Sequence, residues 1–195
     1  MIIVGLYNWH DGGYAVLKNG VLEEHIEFER YTRLKESPGD SLKYLEDVYL
    51  KKKHLTLKDV DCFVSPCPVN NLTKSQNETY ETFAKIEQKN ISFYSHHLCH
   101  ASHAFYSSRM KESLVLTVDS AGMETDGRAV STCAYYGLDK KIEKILDIES
   151  NHFSLGNLWG RCTRFIFKMS TGYPRGHQAG SVMAMAALGD ASIFY

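Results

Sequence analysis

The sequence predicts an α/β protein built on a mixed sheet, and three observations predict it. The chain opens with three strand-like stretches in hairpin order. Apolar strands and amphipathic helices then alternate along the rest of it. No internal repeat or low-complexity tract interrupts that alternation. With 195 residues, 44% of them hydrophobic, the chain suits about one domain and can bury a sizeable core.

Taken in order, "IIVGLY" is apolar at every position, as a central strand buried on both faces would be. A polar link, "NWHDGG", leads to a second strand, "YAVLK". Asn19-Gly20 then predicts a two-residue hairpin turn, since both residues tolerate positive φ. "VLEEHIEF" alternates, with Leu22, Glu24, Ile26 and Phe28 on one side. Asp40 or Ser41 is placed to cap a helix in which Leu42, Leu45 and Tyr49 share a face. The three lysines Lys51, Lys52 and Lys53 read as its solvated end. "VDCFVS" predicts a fourth strand, "ETYETFAKIEQ" a helix and "ISFYS" a short strand. A helix follows to about Met110, then an apolar strand, "SLVLTVDS", that ends on Asp119. "AGMETDG" reads as a turn, and "AVSTCAYYGL" with "KIEKILDIES" as a hairpin around Asp139-Lys140. "SLGNLWGRCTRFIF" and "SVMAMAALG" read as helices. A three-strand meander followed by alternating helices and strands is a ribonuclease H-like layout.

Composition excludes several function classes. The formal net charge is -1, which argues against nucleic acid as the main partner, because phosphate backbones call for clustered Lys and Arg. No apolar run reaches the ~18 residues of a membrane span. The N-terminus lacks the basic region and cleavage site of a signal peptide. The five scattered cysteines fit reduced thiols in a cytoplasm.

The densest chemistry lies in "SHHLCHASHAFYSS", where His96, His97, Cys99, His100 and His103 crowd together. On a helix, His96, Cys99, His100 and His103 form one stripe, while Ala101, Ala104 and Phe105 lie toward a core. His97 is about 100° round from His96 and has a different job. The i, i+4 spacing of His96 and His100 lets two imidazoles meet one divalent metal. Asp119 is the leading third ligand, at the carboxyl end of the next strand, where functional groups of open α/β sheets gather. Two histidines and a carboxylate suit Fe(II), Mn(II) or Zn(II). In "VDSAGMETDGRAV", Ser120, Ala121, Gly122, Asp126 and Gly127 are small or turn-forming, so that backbone N–H groups can approach a phosphate. An ordinary hairpin is the other reading of that stretch.

Together these segments resemble the carbamoyltransferase family that includes nodulation protein U and the cephem and tobramycin carbamoyltransferases. The pieces, in order, are the opening strand with its His-Asp loop and "ERYTRLK", the "HHLCHA" helix, the "LVLTVDSAGMETDG" hairpin, "FSLGNLWGRCTRFI" and "GHQAGSVMAMAALGD". The chain departs from the family pattern at Gly12 and Gly13, where Ala or Ser is usual, after Lys35, where a histidine is often found, and at Ser181 and Ala184, where Lys and Gly are common.

The resemblance implies one lobe of an actin and sugar-kinase type of ATPase. Residues 1–195 would be that N-terminal lobe, with a second lobe and a C-terminal adenylate-forming domain lying outside it. It implies ATP-dependent transfer of carbamoyl from carbamoyl-adenylate, made from carbamoyl phosphate and ATP, to the hydroxyl of a small acceptor. His96, His100 and Asp119 would hold the metal, with iron the favoured ion, and His10 would take the acceptor's proton. Arg30, Arg33 and Lys35 would hold carbamoyl or phosphate oxygens, and residues 119–122 with Asp126 and Gly127 the nucleotide. The lobe alone would be inactive and would need a complementing second lobe or a homodimer. Two other readings stand beside this one: a tRNA threonylcarbamoyl transferase relative, and a non-catalytic metal- or nucleotide-binding module working with a partner subunit.

Overall fold

The computed structural model describes residues 1–66, 86, 90–149, 154–169, 178–190 and 192. β1 (Ile2–Tyr7), β2 (Gly13–Lys18) and β3 (Val21–Glu27) form the expected antiparallel meander. Asn19 and Gly20 turn it with φ of 53° and 80°, the double positive φ that a tight hairpin requires. β4 (Cys62–Ser65) and β5 (Ile91–Phe93) extend the sheet in parallel, giving the order β3-β2-β1-β4-β5. This is the mixed, ribonuclease H-like sheet that the element order predicts. A register shift opposite Val16 and Leu17 breaks the alternation expected of β3, so Leu22 is exposed.

A four-residue α1 (Glu29–Thr32) follows β3. The next helix, α2, starts as α-helix over Ser41–Tyr44, widens to π-type over Leu45–Leu50 and closes as α-helix over Lys51–Lys53. Its predicted stripe of Leu42, Leu45 and Tyr49 is fully buried against Val4, Leu6, Tyr14, Val16 and Phe63 of the sheet. Asp40 is the cap, its Oδ1 accepting from the Lys43 N–H at 3.0 Å. Asp40→Ala should therefore cost about 1 kcal/mol in a urea unfolding experiment. Lys51, Lys52 and Lys53 are exposed, as expected of a solvated helix end. The helix expected over "ETYETFAKIEQ" lies outside the described residues, except for Ile86, which is buried in this core.

The later strands build a second sheet of their own, β6-β7-β8, rather than extending the first. These are β6 (Glu112–Met123), β7 (Ala129–Leu138) and β8 (Lys141–Glu149), joined through Asp139 at φ 52°. The histidine helix, α3 (His96–Ser108), packs Ala101 and Phe105 against Val115, Cys133 and Tyr135 on one face of this sheet. Ala104, expected to face the core, is exposed. The inner stripe runs His97, Ala101, Phe105 at four-residue spacing, which leaves Ala104 to one side. On β6, Leu114, Leu116 and Val118 are exposed. α4 is α-helix over Leu155–Arg161 and π-type over Cys162–Ile166, and α5 spans Ala179–Ala186. Among the described residues, no helix is long and apolar enough to cross a membrane.

Candidate metal centre

α3 starts directly after β5, and the His10 loop starts directly after β1, so both leave the carboxyl edge of the parallel strands. Functional side chains of open α/β sheets gather at that edge because the chain turns there and is free of ladder bonds.

Asp119 reaches this edge by a route the sequence does not announce. β6 does not end at Asp119, and "AGM" is not part of a turn. The strand continues to Met123 and bulges on the way. Val118 pairs with Thr132 and Gly122 with Val130, so Asp119, Ser120 and Ala121 stand opposite Ser131 alone. A bulge of this kind re-aims side chains out of the regular alternation. Here it turns the Asp119 carboxylate onto α3. His96 Nε2 lies 2.9 Å from Asp119 Oδ2, and His100 Nε2 lies 2.9 Å from His96 Nε2 and 3.8 Å from Asp119 Oδ2.

Protons alone serve this trio poorly. A hydrogen on His96 Nε2 must be shared between Asp119 and His100, and one on His100 Nε2 that joins the two imidazoles would leave the His96 lone pair facing the carboxylate. Neither arrangement satisfies both contacts fully. A divalent cation accepts a lone pair from each atom at once, and the donor set of two imidazoles and a carboxylate fits such an ion. His96, His100 and Asp119 offer ligand atoms that all lie within 4.8 Å of one another. Cys99 and His103 share the helical stripe but are not part of this convergence among the described residues. Burial would raise the Asp119 carboxyl. Hydrogen bonds from His96 and the Ser120 N–H, with the charges of His96 and His100, outweigh it and bring the pKa to about 2. Burial and the neighbouring His96 lower the His100 pKa. Together these shifts keep lone pairs available for a cation.

Two glycines permit the geometry. A Cβ on Gly122 would lie 2.5 Å from His96 Cδ2, so the ring seats on bare backbone. A Cβ on Gly156, in the first turn of α4, would overlap Ser120 N and lie 2.5 Å from Asp119 C. α4 thus braces the bulge from behind. Sequence reasoning missed Gly156. Its signal was a glycine just after Ser154, the residue that caps α4 by accepting from the Asn157 N–H.

His10 donates from Nδ1 to Asp11 Oδ2 at 2.9 Å and stands edge-on to Tyr7. The hydrogen bond to Asp11 raises its pKa against the opposing effect of burial, and the charges of Glu36 and Asp119 add to the rise. The loop after α1 is stitched to the His10 loop, Gly12 N–H donating to Ser37 O and Gly39 N–H to Asn8 O. That loop begins with Arg33 and Lys35. Lys35 pairs with Glu29 at 2.9 Å and Arg30 with Glu27 at 3.4 Å, while Arg33 closes α1 with φ 59°.

Asp126 and Gly127 form the tip of the β6–β7 hairpin. Asp126 accepts from both the backbone N–H and Nε of Arg128. Arg128 also forks onto Asp147, which Lys144 meets at 2.8 Å. The bonds from Arg128 and then Lys144 hold the Asp147 carboxyl well below the usual carboxylate range. A depressed carboxyl stabilises the fold fully above its unfolded pKa of ~3.9, and the contribution fades as pH falls toward the folded value. Asp147→Asn should cost about 1–3 kcal/mol at pH 7. Unfolding curves taken from pH 5 downward should show that difference shrinking.

The family described as carbamoyltransferase N-terminus matches residues 69–194. Nodulation protein NolNO of Sinorhizobium fredii is 29% identical over 138 residues, which cover 58% of this chain and 20% of that protein. An uncharacterized protein of Methanocaldococcus jannaschii is 52% identical over 40 residues, covering 20% of this chain and 7% of its own length. The chain therefore spans about a fifth or less of these curated relatives. A crystal structure of full-length HypF in a phosphate- and nucleotide-bound form superposes with a TM-score of 0.48 at 15% identity, covering 74% of this chain and 21% of that one. The family match extends over most of the chain and takes in the histidine helix, the bulge and α4: the chain belongs to the carbamoyltransferase family and carries its N-terminal region.

Proposed function

We propose that this chain is the N-terminal part of an ATP-dependent O-carbamoyltransferase, which moves a carbamoyl group from carbamoyl-adenylate to an acceptor hydroxyl. A divalent cation, Fe(II) in first place, would be held by His96, His100 and Asp119. The observation that carries the reading is the convergence of these three ligand atoms, on a helix that leaves the same sheet edge as the His10 loop. When bound, the cation supplies Lewis-acid polarisation of the mixed anhydride's oxygens.

The chain's own residues do the rest. Asp11 holds the Nδ1–H of His10, which leaves the Nε2 lone pair free to accept the acceptor's hydroxyl proton. The same carboxylate stabilises the imidazolium that results. The acceptor oxygen then bonds to the carbamoyl carbon, the bond from that carbon to the phosphate oxygen breaks, and AMP leaves. Arg33, Arg30 and Lys35 would meet carbamoyl or phosphate oxygens, Lys35 by exchanging Glu29 for them. The bulge of Asp119, Ser120, Ala121 and Gly122 takes backbone out of the regular ladder, which suits it to a phosphate. Asp126 and Gly127 would lie beyond it on the nucleotide side.

The test is a carbamoyl-transfer assay on a chain extended to the length of the curated relatives. ATP, carbamoyl phosphate and a panel of hydroxylated acceptors should release AMP, free of ADP, only when an acceptor is present. His10→Ala should abolish that acceptor-dependent release and leave the metal content at the parent level. No AMP release with any acceptor sinks the reading.

A further inference from the structure

The reading above gives His97 no task, yet this side chain is 0% exposed. Its ring spans two strands of the second sheet. Nδ1 lies 2.8 Å from Thr117 Oγ1 on β6, and Nε2 lies 2.8 Å from the Val130 carbonyl on β7. A carbonyl only accepts, so Nε2 donates to Val130, while Nδ1 pairs with the Thr117 hydroxyl, which also lies 3.4 Å from the Cys133 carbonyl. Both ring nitrogens are then satisfied by backbone or side chain of the sheet.

These two bonds do what the apolar contacts of α3 do not. Ala101 and Phe105 press the helix onto the sheet, but burial is non-directional and tolerates a small roll about the helix axis. A hydrogen bond is directional and resists it. The roll matters because His96 lies about 100° and His100 about 60° round the helix from His97. With side chains, a helix is about 5–6 Å in radius, so a 20° roll carries a ring tip by roughly 2 Å. That is enough to lose a contact of 2.9 Å such as His96 to Asp119. Thr117 also stands two residues before Asp119 on the same strand. Its bond with His97 therefore ties the helix to the strand that presents the carboxylate. Gly122 is the matching seat, since a Cβ there would lie 2.5 Å from His96 Cδ2 and 2.9 Å from His97 Cδ2.

We propose that His97 is a positioning residue, whose bonds to β6 and β7 set the roll of α3 that brings His96 and His100 onto Asp119. The proposal rests on the reading that those three residues hold a divalent cation. Two readouts test it. One is the imidazole 15N spectrum of the metal-free protein, which reports on His96 and His100 directly. The other is Co(II) affinity with the visible absorption of the Co(II) form. His97→Leu should shift the His96 and His100 signals, weaken Co(II) binding by about 10–100-fold and change the absorption band. His97→Gln keeps a donor and an acceptor and should restore affinity to within about fivefold of the parent. Phe105→Leu thins the same helix face without touching either bond. It should lower the unfolding temperature while leaving both readouts at parent values.

Parent-like spectra and affinity in His97→Leu overturn the proposal. So does an equal loss of affinity in Phe105→Leu. If the parent binds no Co(II), the cation reading fails, and the metal-free spectrum alone decides the role of His97. Moved signals then support positioning against Asp119, and unmoved ones overturn it. Should His97→Leu fail to fold, Thr117→Val removes the β6 anchor at nearly constant shape and is judged by the same two readouts.

Discussion

His96→Ala and His100→Ala are each expected to leave the purified protein without stoichiometric divalent metal after loading with Fe(II), Mn(II) or Zn(II) and dialysis. Structural zinc sites with four ligands bind with about 10–16 kcal/mol, or roughly 3 kcal/mol per ligand. The loss of one ligand thus weakens binding by on the order of 100-fold. In a site where this chain supplies three ligands, that loss is decisive. His103→Ala is the control, because His103 is exposed on the same helix but does not join the convergence. It should keep the parent's metal. Elemental analysis of the four proteins reads the result. Metal absent from the parent, or lost equally from His103→Ala, would count against the site. The His100 side chain is 57% exposed, so His100→Ala should cost little stability, which separates ligand loss from unfolding.

Gly156→Ala should both destabilise the protein and empty the metal centre. In an unconstrained helix the change from Gly to Ala stabilises by about 1 kcal/mol. At this position a Cβ would overlap Ser120 N and lie 2.5 Å from Asp119 C, both of them backbone atoms that no rotamer change can move aside. Either α4 backs away or the bulge shifts. Overpacking of this kind costs about 1–3 kcal/mol. Because the displaced backbone is that of Asp119 itself, the carboxylate moves off His96. Unfolding and metal content measured on the same sample give a test of sign. A variant more stable than the parent, with metal retained, would mean that α4 does not brace the bulge.

Much of the first sheet is legible from local spacing. Asn19-Gly20 turns the first hairpin because two adjacent positions accept positive φ, and Leu42, Leu45 and Tyr49 meet the core because helical periodicity places them together. The i, i+4 pair of His96 and His100 is local in the same sense. Other features depend on contacts that spacing does not encode. Period-two reasoning carries an apolar strand only as far as its pattern persists, so it stopped β6 at Asp119. The bulge that carries the strand on belongs to its pairing with β7, and α4 packs closely against it at Gly156. His97 differs from His96 by one step around the helix, but its partners, Thr117 and Val130, lie 20 and 33 residues away. The same holds for the split into two sheets, which depends on which strands find edges to pair with. By itself, then, the sequence determined the elements, their order and the ligand types, because turn chemistry and periodicity act over a few residues. Only the tertiary structure decided which carboxylate faces which imidazole, because that choice belongs to backbone pairing and packing between segments far apart in the chain.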